Sequence, residues 1–177
     1  PDMATAFLGL GNVALRQKEN DKAESFYREA LKHNAELPAA RLCLALLKAR
    51  DEDLDGAVAE LTRAGELNPE LPLVPYYLGN IFASRKQYEK AIEAYQEAIR
   101  FSPDYAPAHF ALGSVFQRKR RLDDAILAYH EAIRLDPGDL PAHYNLGNTY
   151  RDKRNPEKAI EAYRKADSVP PHDVYAA

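Results

Sequence analysis

A-P-A-H-F-A-L-G-S-V-F-Q-R-K-R-R-L-D-D-A-I-L-A-Y-H-E-A-I-R-L-D-P-G-D, residues 106–139, holds two amphipathic helical patterns separated by a short charged turn. Leu112, Gly113 and Phe116 mark the inner face of the first helix. Ala125, Tyr129 and Ala132 mark that of the second, at spacings of four and three. Pro137 ends the second helix, because proline has no backbone N–H to continue the ladder.

Shifting by 34 residues maps Leu112-Gly113 onto Leu78-Gly79 and Leu146-Gly147, and further back onto Leu44-Ala45 and Leu10-Gly11. Small residues recur at Ala23, Ala57, Ala91, Ala125 and Ala159, and again at Ala30, Ala64, Ala98, Ala132 and Ala166. Between these rows stand Tyr27, Leu61, Tyr95, Tyr129 and Tyr163. Pro69, Pro103, Pro137 and Pro171 close four units, and Ala35 takes that place in the other. The period defines five units without insertions, 4–37, 38–71, 72–105, 106–139 and 140–173, read as one domain over 1–177.

These residues resemble the tetratricopeptide repeat (TPR), which has a Leu-Gly pair, alternating aromatic and Ala positions and a closing Pro at this period. The resemblance implies an all-α, right-handed superhelical solenoid of helix-turn-helix units with a concave groove. In physical terms, Gly and Ala let helix axes approach to roughly 8–10 Å, and a ring fills the space beside each.

Bulk properties narrow the function. The net charge of −3 over 177 residues argues against partners held by charge alone, nucleic acid or a membrane surface. The second repeat carries that charge, with four bases and seven acids. No apolar run approaches the ~18 residues of a membrane helix, and a cytoplasmic location is favoured. Cys43, the single cysteine, excludes an internal disulfide and reads as a buried, inert thiol. The chain starts at Pro1 almost in phase with a repeat, and reads as a fragment of a longer protein.

Local departures carry further expectations. Phe7, Leu10, Val13 and Ala14 form the inner face of the first helix. In the second repeat Arg41 and Lys48 stand where bulky apolar groups pack. Gly56 and Gly65 lie inside its second helix, at roughly 1 kcal/mol each relative to Ala. This repeat is therefore predicted to be the softest. Pro107 and Pro141 fall in first turns, and Asp104 and Asp139 are the N-caps expected there. The tail 172–177 is too short for a capping helix, so the last helix, with Ile160, Tyr163 and Ala166, should expose an apolar flank.

One stripe of each first helix faces away from that core. Its fifth positions are Leu8, Leu42, Tyr76, Phe110 and Tyr144. The ninth are Asn12, Leu46, Asn80, Ser114 and Asn148, and the thirteenth include Arg118. By the resemblance this stripe lines the groove. Tyr76, Phe110 and Tyr144 would anchor an extended or helical partner segment, Asn80 and Asn148 would read its backbone, and Arg118 would form an acid-seeking rim. The alternative is that the rings pack on neighbouring helices and the Asn side chains bond locally. The carboxylate clamp of TPR co-chaperones is absent: Asn12 matches, but Leu8, Cys43, Leu73 and Tyr77 do not. The string A-H-Y-N-L-G-N at 142–148 resembles the array of O-linked N-acetylglucosamine transferase, but only Asn145 occupies its ladder position.

The remaining signals read as structural. Arg118-Lys119-Arg120-Arg121, Arg85-Lys86 and Lys153-Arg154 make one edge basic, as solvated turns. Asp51–Gly56 imitates the start of a calcium loop, but the twelfth position is Thr62 where a bidentate Glu is needed. His109 and His143 read as packing substitutes for a bulky residue. No catalytic motif, metal site or cofactor signature is present. The sequence thus points to a non-catalytic protein-interaction scaffold. The alternatives are the substrate-docking arm of a larger enzyme, such as a glycosyltransferase, and a scaffold that self-associates through its C-terminal repeat.

Overall fold

The computed structural model describes residues 2–168; Pro171 and the tail 172–177 lie outside them. Ten α-helices and no strand occur among the described residues. They are α1 (Met3–Arg16), α2 (Asn20–His33), α3 (Pro38–Arg50), α4 (Leu54–Leu67), α5 (Leu73–Ser84), α6 (Tyr88–Phe101), α7 (Ala106–Arg118), α8 (Leu122–Leu135), α9 (Leu140–Asp152) and α10 (Pro156–Ser168). The chain divides into two compact units, Pro1–Ile81 and Phe82–Ala177.

In the first unit α1 packs on α2, α2 on α3 and α3 on α4. Ala14, Ala23, Tyr27 and Leu47 form one buried cluster, joined by half-buried Leu8, Phe26 and Cys43. Leu42, Ala45, Ala57, Leu61, Ala64, Val74 and Ile81 form another. In the second unit α6 packs on α7, α7 on α8, α8 on α9 and α9 on α10. Its interior takes Ala91, Tyr95, Ala98, Ala108, Leu112, Ala125, Tyr129, Ala132 and Leu146.

The Leu-Gly pairs are explained by contact with the second-helix ring. A Cβ on Gly113 would lie 2.8 Å from the ring of Tyr129, and one on Gly147 2.5 Å from that of Tyr163. Gly11 meets Tyr27 in the same way. Where Ala45 replaces the glycine, Leu61 replaces the tyrosine, so the pair changes together.

Each first helix ends alike. Lys18, Glu52, Lys86, Arg120 and Arg154, all at φ near +60°, follow the last turn. The next amide donates back into the helix, as Glu19 N–H does to the Ala14 carbonyl and Arg121 N–H to that of Phe116. This is the Schellman arrangement. Four of the five left-handed residues are cationic, which suits the negative end of the helix dipole.

Several expectations are corrected by packing. Leu10 is 47% exposed and Val13 52% exposed, so neither lies on an inner face; the buried residues of α1 are Ala4, Gly11 and Ala14. The equivalent Leu44, Leu112 and Leu146 are covered because α2, α6 and α8 pack against their helices, and no described helix precedes α1. Asp104 is not a cap: its carboxylate accepts from the Ser102 hydroxyl and Tyr105 precedes α7. Asp139 is one, accepting from Ala142 N–H at 2.9 Å.

Arg41 is not a misfit. It pairs with Glu60 at 2.9 Å and donates from Nη2 to the Ala35 carbonyl at 3.0 Å. His109 and His143 do the same job one and two repeats beyond α5, six residues after the carbonyls of Pro103 (2.9 Å) and Pro137 (3.1 Å). They are hydrogen-bonding ties to the inter-repeat turn rather than packing substitutes. Asp53 caps α4 through Gly56 N–H at 2.9 Å and pairs with Lys48, and helix runs on from Leu54 where a calcium loop would have to be open.

Candidate functional site

In the second unit α7 and α9 lie side by side, bringing two stretches of the stripe together. On α9 the Tyr144 ring is 56% exposed. It leans on Tyr163 of α10, centroids 5.5 Å apart. The Tyr163 hydroxyl donates to Oδ1 of Asn148 at 2.8 Å. An Asn held by its carbonyl oxygen turns its NH2, two donors, away from the tyrosine. On α7 the Phe110 ring is half-buried, 5.9 Å from Tyr129. Tyr129 Oη donates to Gln117 Oε1 at 2.9 Å and lies 3.2 Å from the Ser114 hydroxyl, which donates to the Phe110 carbonyl at 3.1 Å and is thus spent internally. Arg118 is exposed on the last turn of α7.

In the first unit the same motif recurs. Tyr27 Oη donates to Asn12 Oδ1 at 2.9 Å, and Asn12 is exposed. The Cys43 thiol approaches that oxygen at 3.8 Å. Burial, and then the neighbouring Cys43, pushes the Tyr27 hydroxyl well above the usual tyrosine range. Burial likewise raises the Cys43 thiol, outweighing its bond with Tyr27, which fits an unreactive group.

The apolar end of the row differs from expectation. Leu42 is 8% exposed and belongs to the cluster with Leu61 and Ile81, so it is core and cannot touch a partner. Leu8 is half-buried against the Tyr27 cluster. Tyr76 and Asn80 are half-buried on α5; the Tyr76 ring meets Tyr77 edge-on at 5.1 Å. Rings and free amides therefore coincide most openly at Tyr144 and Asn148.

The tyrosine hydroxyls are the functional groups that the stripe alone does not reveal. A signal exists: Asn12–Tyr27, Ser114–Tyr129 and Asn148–Tyr163 are all 15 residues apart. The basic edge, by contrast, is largely neutralised. Lys119 pairs with Glu89, Arg120 with Asp152 (2.8 Å), Arg121 with Asp124 (2.7 Å) and Lys153 with Asp123. No helix among the described residues is long and apolar enough to cross a membrane.

Helix pairs repeated every 34 residues, three of them closed by a tyrosine ring over a glycine, define an all-α helical-repeat solenoid. Family comparison gives the second step. The tetratricopeptide repeat model matches residues 1–41 and 110–173, and a second TPR model matches residues 79–119. The first covers more than half of the chain, and the protein belongs to the tetratricopeptide repeat family. No curated protein matches it. Among solved structures it is similar to MamA, with 26% identity over 93% of this chain and 90% of that one, at a TM-score of 0.79. It is also similar to YrrB, a TPR protein with an unusual peptide-binding site, with 26% identity over 96% of this chain and 88% of that one, at 0.74. PilF of Pseudomonas aeruginosa, 19% identical over 95% of this chain and 77% of that one, shares the fold at 0.87.

Proposed function

We propose that the protein is an interaction scaffold that holds a segment of a partner protein along the first-helix stripe, without catalysis of its own. The observation that carries this reading is the Tyr144–Tyr163–Asn148 arrangement: an exposed Tyr144 stands beside a half-buried amide whose oxygen is held by Tyr163. A ring of this kind supplies apolar contact, and the amide can bond a backbone carbonyl of an extended segment. Phe110 and Arg118 extend the surface on α7, and Tyr76 and Asn80 repeat the residue pair on α5. The likeness to YrrB supports a peptide as the occupant.

The test is a peptide-array selection followed by titration. Tyr144→Ala with Asn148→Ala should weaken the selected peptide more than tenfold while helical content is unchanged. Undiminished affinity would refute the stripe as the binding surface.

A second reading has its own observation. Ile160 on α10 is 52% exposed, whereas Ile92, two repeats earlier, is buried. Self-association through α10 would cover it. Sedimentation at several concentrations tests this, and Ile160→Lys should abolish any concentration dependence.

A further inference from the structure

The joint between successive repeats has two unlike halves. Leu47 of α3 packs into the cluster of Ala23 and Tyr27 on α2, and Val74 and Ile81 of α5 pack with Leu61 and Ala64 of α4. A Cβ on Gly65 of α4 would lie 3.2 Å from Cγ1 of Val74. The pairs α6 with α7 and α8 with α9 pack in the same order. A second helix therefore offers its ring position and the alanine three residues on, and the next first helix covers them with one stripe.

That stripe has an uncovered copy on α1. Ala6, Leu10 and Val13 are exposed. A shift of 34 residues takes Ala6 to Ala40, Val74, Ala108 and Ala142, and Val13 to Leu47, Ile81, Val115 and Thr149, every one of them buried. With exposed Met3 the four residues alternate at spacings of three and four, the seam along which one helix packs on another. The one charged residue of α1 is Arg16, in its last turn, so no charge on the stripe opposes an apolar neighbour.

The complementary half stands open on α10. Tyr163 and Ala166 are half-buried, whereas their equivalents Tyr27, Leu61, Tyr95 and Tyr129, and Ala30, Ala64, Ala98 and Ala132, are all buried. Ile160 on the same helix is exposed. Asp167 takes the place of Gly65, and Ala6 of α1 that of Val74. A carboxylate so placed lies by the first turn of the facing helix, where free amides favour negative charge. Each chain thus carries both halves of a joint that its own repeats make.

We propose that the occupant of the α1 flank is α10 of a second copy of this chain. Ile160, Tyr163 and Ala166 of one molecule pack on Ala6, Leu10 and Val13 of the next, continuing the inter-repeat joint from molecule to molecule. The proposal rests on the self-association reading above and names what covers α10. It differs from a pairing of two α10 helices, because the surfaces are unlike and each molecule has one of each. Association therefore runs head to tail and is not limited to a dimer.

Sedimentation of the whole chain from micromolar to millimolar concentration, with two variants, tests this. Leu10→Glu with Val13→Lys disables the α1 flank, and Ile160→Lys the α10 flank. All three side chains are exposed, and circular dichroism checks that both variants keep their helices. The unaltered chain should gain mass with concentration, and each variant alone should stay monomeric. An equimolar mixture of the two should form a dimer and nothing larger, since each contributes one working surface. A self-associating α1 variant would mean that α10 pairs with α10, which keeps the earlier reading and overturns this one. A self-associating α10 variant would mean that α1 pairs with α1, which overturns both. A mixture that stays monomeric would overturn the proposal, and an unaltered chain monomeric throughout would overturn it and leave the α1 flank to a different protein. Amide exchange of the unaltered chain needs no variant. Between dilute and concentrated samples, protection in α1 and α10 should rise together by roughly threefold or more. A rise in only one of the two helices would refute head-to-tail packing.

Discussion

Tyr163 does two things at once, and they can be separated. Its ring lies against Gly147 where no Cβ fits, and its hydroxyl holds Asn148 at 2.8 Å. Gly147→Ala forces the ring off the helix and should cost about 1–3 kcal/mol, read by denaturant unfolding. The Ala45/Leu61 pair shows how the joint accommodates a Cβ. The double change Gly147→Ala with Tyr163→Leu should therefore cost less than the two single changes added, by at least about 0.5 kcal/mol. Additive losses would mean that the glycine is chosen for another reason. Tyr163→Phe keeps the ring and loses only the hydrogen bond, worth about 1 kcal/mol. It frees the Asn148 amide to rotate, so a stripe-bound peptide should weaken with little change in melting temperature.

At the scale of the element, the turn between paired helices is the repeated device. A side chain in the left-handed region costs roughly 1–2 kcal/mol that glycine avoids. Lys18 is exposed at φ 62°. Lys18→Gly should raise the melting temperature by a few degrees, and a fall would show that the cation at the helix terminus outweighs the strain. The start of α4 titrates. Lys48, and then the Gly56 amide, hold the Asp53 carboxylate below its ordinary value. A lowered folded value means that its contribution is complete above the unfolded value of about 3.9 and is lost as pH falls through the lowered one. Asp53→Asn keeps an N-cap but cannot titrate. Its stability should vary less with pH below about 4 than that of the unaltered protein. The helix start at Asp139 was legible in sequence, because a capping carboxylate acts on amides two or three residues away; the same reading failed at Asp104, and the cap at Asp53 was not read. The roles of Arg41, His109 and His143 were not legible, since each spans six residues to a turn whose carbonyl direction no periodicity encodes.

For the molecule as a whole, the 34-residue period made the helices and the family legible, because the residues that pack are the residues that repeat. Burial along a row was not legible in the same way. Leu8, Leu42 and Tyr144 hold one repeat position, yet they run from core to open surface, since exposure depends on what neighbouring helices cover. The same reasoning revises where the chain should loosen first. Sequence places the softest unit at residues 38–71, on account of Gly56 and Gly65. Yet that segment has a capped α4, the Arg41–Glu60 pair and a buried cluster around Leu61. Among the described residues the exposed large apolar side chains gather on α1, as Met3, Leu10, Val13 and Leu15, with single ones at Leu127 on α8, Tyr144 on α9 and Ile160 on α10. In a repeat array, stability is close to a sum of unit and nearest-neighbour terms, so a helix with one flank uncovered lacks an interface term. Amide exchange should therefore be fastest in α1 and α10, slower in α3 and α4, and slowest in α7 and α8. A polar exchange at Leu10 should be nearly neutral, whereas the same exchange at buried Leu112 should cost at least about 2 kcal/mol. Exchange fastest in α4, or equal costs at Leu10 and Leu112, would return the weak point to the helical glycines.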